Sequence, residues 1–155
     1  MREIEVNRKN LIDFLDDIRE CDKEELIFFL GKKYKNQFIK TVLSNKQYTY
    51  FLAENANPIA IGGICPDKNK GIVWLLCTNK AKQNKKFLYS YIKNKITLFK
   101  KEYDFLYNYI YRSNFAAIKW LKKNGFNFID LKNTNDIKFF YFSKGENFDT
   151  RYYTG

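Results

Sequence analysis

Apolar positions in the first 45 residues recur every three or four places, a period that predicts helices. The first stripe follows Asn7 or Asn10, and either side chain would suit an N-cap. A second stripe begins after Asp22, whose spacing to Glu25 resembles a capping box, and it breaks near Gly31. We therefore expect two N-terminal helices, the second resuming for a turn or two after the break. The stripes are Leu11, Phe14, Leu15 and Ile18, then Leu26, Phe29, Leu30 and Tyr34, then residues 38–43.

The period changes after residue 46, where β-branched and aromatic residues predominate. Residues 47–54 and 59–64 predict two strands joined by a turn at residues 55–58. Residues 72–78 are apolar almost throughout, as expected of a central strand covered on both faces. Together these segments predict an antiparallel meander of three strands.

Helical spacing returns over residues 82–101, and residues 105–111 predict a further strand. A strand, a helix and a strand in this order predict a right-handed crossover between parallel strands. The predicted sheet-facing residues of this helix are Leu88, Tyr91, Ile92, Ile96 and Phe99. Its predicted outer face carries Lys82, Lys86, Lys93 and Lys100.

The last third of the chain predicts a short helix and a hairpin. Ser113 or Asn114 caps the helix, which buries Ala117, Ile118 and Leu121 and ends at Gly125. Residues 126–131 and 137–143 predict the hairpin, and the tail after residue 144 has no clear pattern. The fold class is therefore α+β (α/β), with a mixed central sheet and flanking helices. We expect one domain over residues 1–155, divided into N-terminal helices (1–45), meander (46–78), crossover helix, strand, short helix and hairpin (79–143), and tail (144–155).

Composition excludes several classes of chemistry. The chain has no histidine, so Ser-His-Asp and Cys-His nucleophiles and histidine-ligated metals are excluded. Three cysteines without a Cys-x-x-Cys spacing argue against a disulfide framework or a zinc site, and they favour a reducing, cytoplasmic setting. The charged N-terminus does not resemble a signal peptide, and no apolar run approaches the roughly 20 residues of a membrane span. We expect no metal.

Charge is distributed unevenly along the chain, whose net charge is +11. Residues 1–30 carry nine acidic and five basic residues, whereas residues 68–101 carry ten lysines and no acidic residue. This stretch fits a solvated helix face rich in lysine, and it also fits a nucleic-acid surface in which Tyr89, Tyr91 and Phe99 stack on bases. The helical pattern favours a core position for these aromatic residues. The acidic and basic segments also suit partners, or copies of the chain, that meet by charge complementarity.

Residues 114–126 read Asn-Phe-Ala-Ala-Ile-Lys-Trp-Leu-Lys-Lys-Asn-Gly-Phe. They resemble the Asn-x-x-Ala-hydrophobic-x-x-Tyr-x-x-x-Gly-Phe segment of the GCN5-related N-acyltransferases (GNAT), with matches at Asn114, Ala117, Gly125 and Phe126. The order of the predicted elements also resembles this superfamily, although any capped helix before a strand can look similar. Residues 18–22, 57–63 and 73–78 narrow the resemblance to phage proteins of the internal-virion assembly type, which have a GNAT-like fold.

The resemblance implies an acetyl-CoA site, but two of its motifs are altered. Lys86 and Leu88 stand where the phosphate loop has small residues, and Leu121 stands where many members have a tyrosine acid. No catalytic residue is therefore assigned. Cys77 fits a small buried hydrophobe better than a nucleophile. The resemblance places cofactor contacts at Leu76, Cys77, Thr78, Gln83, Lys85, Lys86 and Asn114.

These observations lead to a functional hypothesis with one alternative. We expect a phage protein with a degenerate acyltransferase fold that acts in virion assembly or as an interaction protein. It would have protein partners, with nucleic acid a further candidate through residues 68–101, and would occupy the host cytoplasm or the virion. The alternative is an active acetyl-CoA-dependent N-acetyltransferase acting on a lysine or a small amine, so whether the chain is an enzyme stays open.

Overall fold

The computed structural model describes residues 1–145 and 149–155. Seven strands of this part form one mixed sheet in the order β1-β2-β3-β4-β5-β7-β6. The strands are β1 (Arg2–Glu3), β2 (Thr49–Glu54), β3 (Asn57–Asp67), β4 (Lys70–Cys77), β5 (Phe105–Tyr111), β6 (Asn127–Asp130) and β7 (Ile137–Ser143). The helices are α1 (Arg8–Asp16), α2 (Glu20–Leu30), α3 (Tyr34–Leu43), α4 (Lys85–Glu102), α5 (Phe115–Lys123) and α6 (Arg151–Thr154), and 3-10 helices occupy Lys46–Tyr48 and Asn79–Asn84. The predicted fold class is confirmed.

The N-terminal region holds three α-helices where two were predicted. Asn7 is the N-cap of α1, and its side chain accepts a hydrogen bond of 2.8 Å from the Asn10 amide. The segment after Gly31 is a full helix of 10 residues, because Tyr34, Phe38, Ile39 and Val42 bury one face of it. The short edge strand β1 was not predicted, since two residues carry no periodicity.

The chain groups into two compact units. The N-terminal unit comprises residues 1–65 and 74–91, and the C-terminal unit comprises residues 66–73 and 92–155. The single domain expected over residues 1–155 stays a prediction. None of the helices in the described part of the chain is both long and apolar enough to cross a membrane.

Aromatic rings form the centre of the N-terminal unit. Phe14 contacts Phe38 in a stacked pair and Phe51 edge to face, with ring centroids 6.4 and 5.9 Å apart. Phe38 in turn contacts Trp74 of β4 edge to face at 6.0 Å. Helices α1 and α3 are thereby packed against strands β2 and β4. Both faces of β4 carry buried residues, Val73 and Cys77 on one and Leu76 on the other, while Leu75 is 36% exposed.

In the C-terminal unit, β4 pairs with β5 in parallel from Lys70 with Phe105 to Ile72 with Tyr107, as predicted for a crossover. Strands β6 and β7 form the predicted antiparallel hairpin. The tail also has structure: α6 places Tyr153 on the sheet, where its ring stacks on Phe139 at 5.3 Å. The half-buried Tyr153 therefore packs the tail onto the sheet of this unit.

Helix α5 follows the predicted cap and ends as predicted. Asn114 is its N-cap residue, and Gly125 has φ +85°, a left-handed conformation that glycine adopts without strain. Lys100 was expected on the outer face of α4 but is half-buried instead. Its amine donates to the Asn124 carbonyl oxygen and lies 4.7 Å from the ring centre of Phe142. Burial lowers the pKa of Lys100.

Candidate functional site

Six of the seven predicted cofactor contacts lie in one segment of the N-terminal unit, at and after the end of β4. Leu76, Cys77 and Thr78 are all buried, whereas Gln83, Lys85 and Lys86 are exposed. The seventh, Asn114, is 7% exposed and lies in the C-terminal unit. The segment from residue 76 to residue 86 is therefore the candidate site.

An ion pair between the buried Asp22 and the partly buried Arg19 fixes the end of β4. Asp22 is 1% exposed, and its Oδ2 atom accepts hydrogen bonds from the Cys77 amide at 2.8 Å and from Arg19 Nε at 2.9 Å. Burial raises the pKa of Asp22, while the Arg19 charge and the Cys77 amide act in the opposite direction. The Arg19 amide also donates to the Cys77 carbonyl oxygen at 3.0 Å. This pair holds the start of α2 against the end of β4.

The role of Asp22 differs from the predicted capping box. Helix α2 starts at Glu20 with Arg19 as its N-cap residue, so Asp22 lies inside the first turn. Its side chain is directed to Arg19 and to the strand end instead of the helix amides. The spacing of an arginine and an aspartate three residues apart is the sequence signal for this pair, but the partner amide of Cys77 is 55 residues away and has no local signature.

Cys77 is a buried thiol. It is 4% exposed, and burial raises its pKa to about 12. A thiol in this state stays protonated near neutral pH, so it is a poor nucleophile. The geometry agrees with the expectation that Cys77 acts as a small hydrophobe.

Thr78 ends the strand and caps the next element. It is completely buried, its hydroxyl donates to the Pro58 carbonyl oxygen at 2.8 Å, and its amide donates to the Ile59 carbonyl oxygen at 2.9 Å. The same hydroxyl accepts from the Lys80 amide at 3.3 Å. Thr78 therefore anchors the following turn to strand β3.

The turn after Thr78 is a 3-10 helix that leads directly into α4. The amide-bearing end of this helical run lies at residues 79–81, where an anion would meet free N–H groups. The Asn79 amide donates to the Asp17 carbonyl oxygen at 3.1 Å, the Lys80 amide to Thr78 Oγ1, and the Ala81 amide to the Thr78 carbonyl oxygen at 3.2 Å. All three donors are thus used within the chain.

Side chains occupy the positions where the resemblance requires small residues. Lys86 is exposed, and Leu88 is 3% exposed and belongs to the core. Bound phosphates would contact lysine amines here, because Lys82, Lys85 and Lys86 are exposed around the turn. Phe87 of this region is 49% exposed, whereas Tyr89 and Tyr91 are half-buried and Phe99 is buried, which agrees with the favoured core position of these three residues.

Helix α5 carries no proton donor at the position of the tyrosine acid. Leu121 is 8% exposed and packs in the core of the C-terminal unit. Asn114 makes no side-chain cap bond to the helix, while its backbone amide donates to the Tyr111 carbonyl oxygen at 3.1 Å.

Within residues 1–145 and 149–155, no group of three or more side chains of the metal-binding types His, Cys, Asp and Glu is placed so that it could hold a metal ion.

Sequence comparison links this chain to a phage family. The model of the family described as bacteriophage T7, probable scaffold protein Gp13 matches residues 48–134, which is more than half of the chain. The match covers the meander, the turn after β4, and helices α4 and α5. No curated protein matches the sequence.

Solved structures share the fold. A GNAT-family acetyltransferase from Staphylococcus aureus has a TM-score of 0.66 and 18% identity, over 92% of this chain and 98% of that one. The ribosomal-protein-S18-alanine N-acetyltransferase from Escherichia coli has a TM-score of 0.63 and 16% identity, over 96% and 98%. The PaiA N-acetyltransferase from Thermoplasma acidophilum, solved in complex with coenzyme A, has a TM-score of 0.57 and 16% identity, over 92% and 96%. At such identities the likeness concerns the fold alone.

Proposed function

Because the chain belongs to the family of the bacteriophage T7 probable scaffold protein Gp13, we propose that it is an interaction protein of virion assembly. In this proposal the chain keeps a GNAT-like fold but does not use it for catalysis. Its partners are other proteins of the phage particle. It acts in the host cytoplasm during assembly and stays associated with the virion.

The observation that carries this proposal is the closed turn after β4. The amides of residues 79–81 are bonded within the chain, and a lysine and a buried leucine replace the two small residues of the phosphate loop. These three amides are therefore not available to a pyrophosphate. The buried Leu121 adds a second argument, because leucine cannot protonate a departing thiolate.

The alternative is an acetyl-CoA-dependent N-acetyltransferase acting on a lysine or a small amine. It is supported by the shared fold with the Thermoplasma enzyme solved with coenzyme A, and by the exposed Lys82, Lys85 and Lys86. These amines would bind phosphates as point charges. Leu76, Cys77, Thr78 and Gln83 of the N-terminal unit would then line the cofactor, and water would carry the proton of the amine. The cofactor contact at Asn114 stays a prediction.

Nucleic acid is a further partner class for the proposed assembly role. Ten lysines and no acidic residue occur in residues 68–101, and Phe87 beside Lys86 is half exposed. Lysines neutralise phosphates and an exposed ring can stack on a base, so this stretch suits single-stranded nucleic acid.

Calorimetric titration of acetyl-CoA and desulfo-CoA into the full-length protein separates the two functions. We expect no binding up to millimolar ligand at low and at moderate salt. Micromolar binding that is lost in Lys85→Glu/Lys86→Glu but kept in the matched control Lys32→Glu/Lys33→Glu would overturn the proposal and support the enzyme.

Deletion of the gene from its phage tests the assembly role, and we expect fewer infectious particles, restored by the wild-type chain.

A further inference from the structure

The C-terminal end of α2 exposes four large apolar side chains in succession. Ile27 is 41% exposed, Phe28 and Phe29 are each 45% exposed, and Leu30 is 36% exposed. The rings of Phe28 and Phe29 meet edge to face with centroids 5.2 Å apart. We call Ile27 to Leu30 the apolar ledge. A run of this kind is costly to hydrate, so it marks a surface that another molecule covers.

The surroundings of the apolar ledge on its C-terminal side are basic. Residues 26–53 contain five lysines and no acidic residue. Lys32 and Lys33 follow the ledge directly, Lys35 is on the first turn of α3, and all three are exposed. A molecule that covers the ledge therefore meets positive charge at this end.

We propose that the apolar ledge binds an acidic amphipathic helix of another protein of the virion. The apolar face of such a helix covers Ile27 to Leu30, and its carboxylates lie opposite Lys32 and Lys33. This inference rests on the proposed assembly function and names the chemistry of the partner.

Two other kinds of molecule that could bind the apolar ledge match these observations less well. Nucleic acid would neutralise the lysines and stack bases on the two phenylalanine rings, but it would leave Ile27 and Leu30 without a matching surface. The ledge of a second copy would cover the apolar side chains, but it would bring opposite charges together only if the two α2 helices ran antiparallel, with Glu24 of each copy opposite Lys32 of the other. An acidic apolar helix matches both features.

The binding test uses two designed 18-residue peptides with identical leucine positions on one helical face. The remaining positions are glutamates in one peptide and lysines in the other, and binding to the full-length protein is measured by fluorescence anisotropy. We expect the acidic peptide to bind at least tenfold more tightly than the basic one. Phe29→Ser and Lys32→Glu/Lys33→Glu should each weaken it at least tenfold, whereas Phe29→Leu retains it. The matched control is Phe87→Ser, since Phe87 is exposed to a similar extent in the same unit.

The inference is overturned if both peptides bind with equal affinity or if neither binds. It is also overturned if Phe29→Ser leaves the melting temperature and the affinity for the acidic peptide unchanged. Displacement of the acidic peptide by oligo-dT would assign the surface to nucleic acid, and a dimer that Phe29→Ser dissociates would assign it to a second copy. A photo-cross-linking residue at position 29, introduced in infected cells, then identifies the bound segment, which we expect to be acidic and amphipathic.

Complementation of the deleted phage gene separates the failure of this inference from the failure of the proposed function. If the wild-type chain restores infectious particles and Phe29→Ser restores them equally, the ledge inference fails and the assembly role stands. If the acidic peptide binds the ledge but deletion leaves the particle yield unchanged, the binding surface stands and the assembly role fails.

Discussion

At the scale of single residues, burial sets the chemistry of the candidate site. The pKa of Cys77 rises from 9.0 to about 12 because the thiol is buried. We expect iodoacetamide at pH 8 to modify Cys77 far more slowly than the half-buried Cys21 and Cys65, as measured by peptide mass spectrometry. Rapid alkylation of Cys77 in the folded protein would contradict this.

The raised pKa of Cys77 makes the free energy of unfolding depend on pH. A thiol with a raised pKa in the fold ionises first in the unfolded chain, so its contribution to stability is complete below pH 9.0 and is lost between about pH 9 and pH 12. The loss is at most about 1.4 kcal/mol per pH unit. Urea denaturation across this range should show a steeper decline for the wild type than for Cys77→Ala.

Asp22 illustrates how one side chain can hold two elements together. Asp22→Ala removes the bonds to Arg19 and to the Cys77 amide and leaves a partly buried guanidinium unpaired. We expect a loss of about 3 kcal/mol in the free energy of unfolding. The matched control is Asp13→Ala, which removes the exposed pair with Lys9 and should cost about 0.5 kcal/mol or less. Equal effects of the two variants in urea denaturation would contradict the structural role.

At the scale of elements, the close approach of β3 to the 3-10 turn at Lys46–Tyr48 requires glycine. A Cβ atom on Gly63 would lie 2.1 Å from the Tyr48 carbonyl oxygen. We expect Gly63→Ala to destabilise the protein by about 2 kcal/mol through overpacking. Gly145→Ala is the control, because its Cβ would meet no atom within 4 Å. Thermal unfolding measures both, and a Gly63→Ala variant as stable as the control would refute this account.

Helix α6 is a second element whose packing can be tested. The Tyr153 ring contacts Phe139, Phe105 and Tyr107, and the backbone carbonyl oxygen of Tyr153 accepts a 2.9 Å hydrogen bond from Tyr109. We expect Tyr153→Ala to cost about 3 kcal/mol. Tyr152→Ala removes a ring that is 89% exposed and should change the stability by no more than about 0.5 kcal/mol. If both variants unfold at the same urea concentration, α6 does not contribute to the core.

At the scale of the whole molecule, the net charge of +11 predicts weak binding of polyanions. We expect oligo-dT to bind with little sequence preference, with an affinity that falls steeply as salt rises. Lys82→Glu/Lys86→Glu should weaken this binding more than Lys32→Glu/Lys33→Glu. An affinity that does not change between 50 and about 200 mM salt would exclude phosphate contacts as its source.

The sequence by itself determined the order of the elements except β1, α6 and the separate helix α3, because hydrophobic period and turn residues are local properties. The meander, the crossover, the capped helix before Gly125 and the terminal hairpin follow from residues that are close in the chain. The sequence also showed that Lys86 and Leu88 replace the small residues of the phosphate loop, because this change concerns residue types at a fixed spacing. These features were sufficient for the fold class and for the resemblance.

Only the tertiary structure decided which side chains are buried and what they contact. Asp22 bonds an amide 55 residues away, Lys100 packs on the Phe142 ring of β7, and Tyr153 covers a sheet face. The apolar ledge belongs here too, since Phe29 had the spacing of a core residue but is exposed. Such pairings depend on where the sheet brings distant segments together, and no local pattern records them.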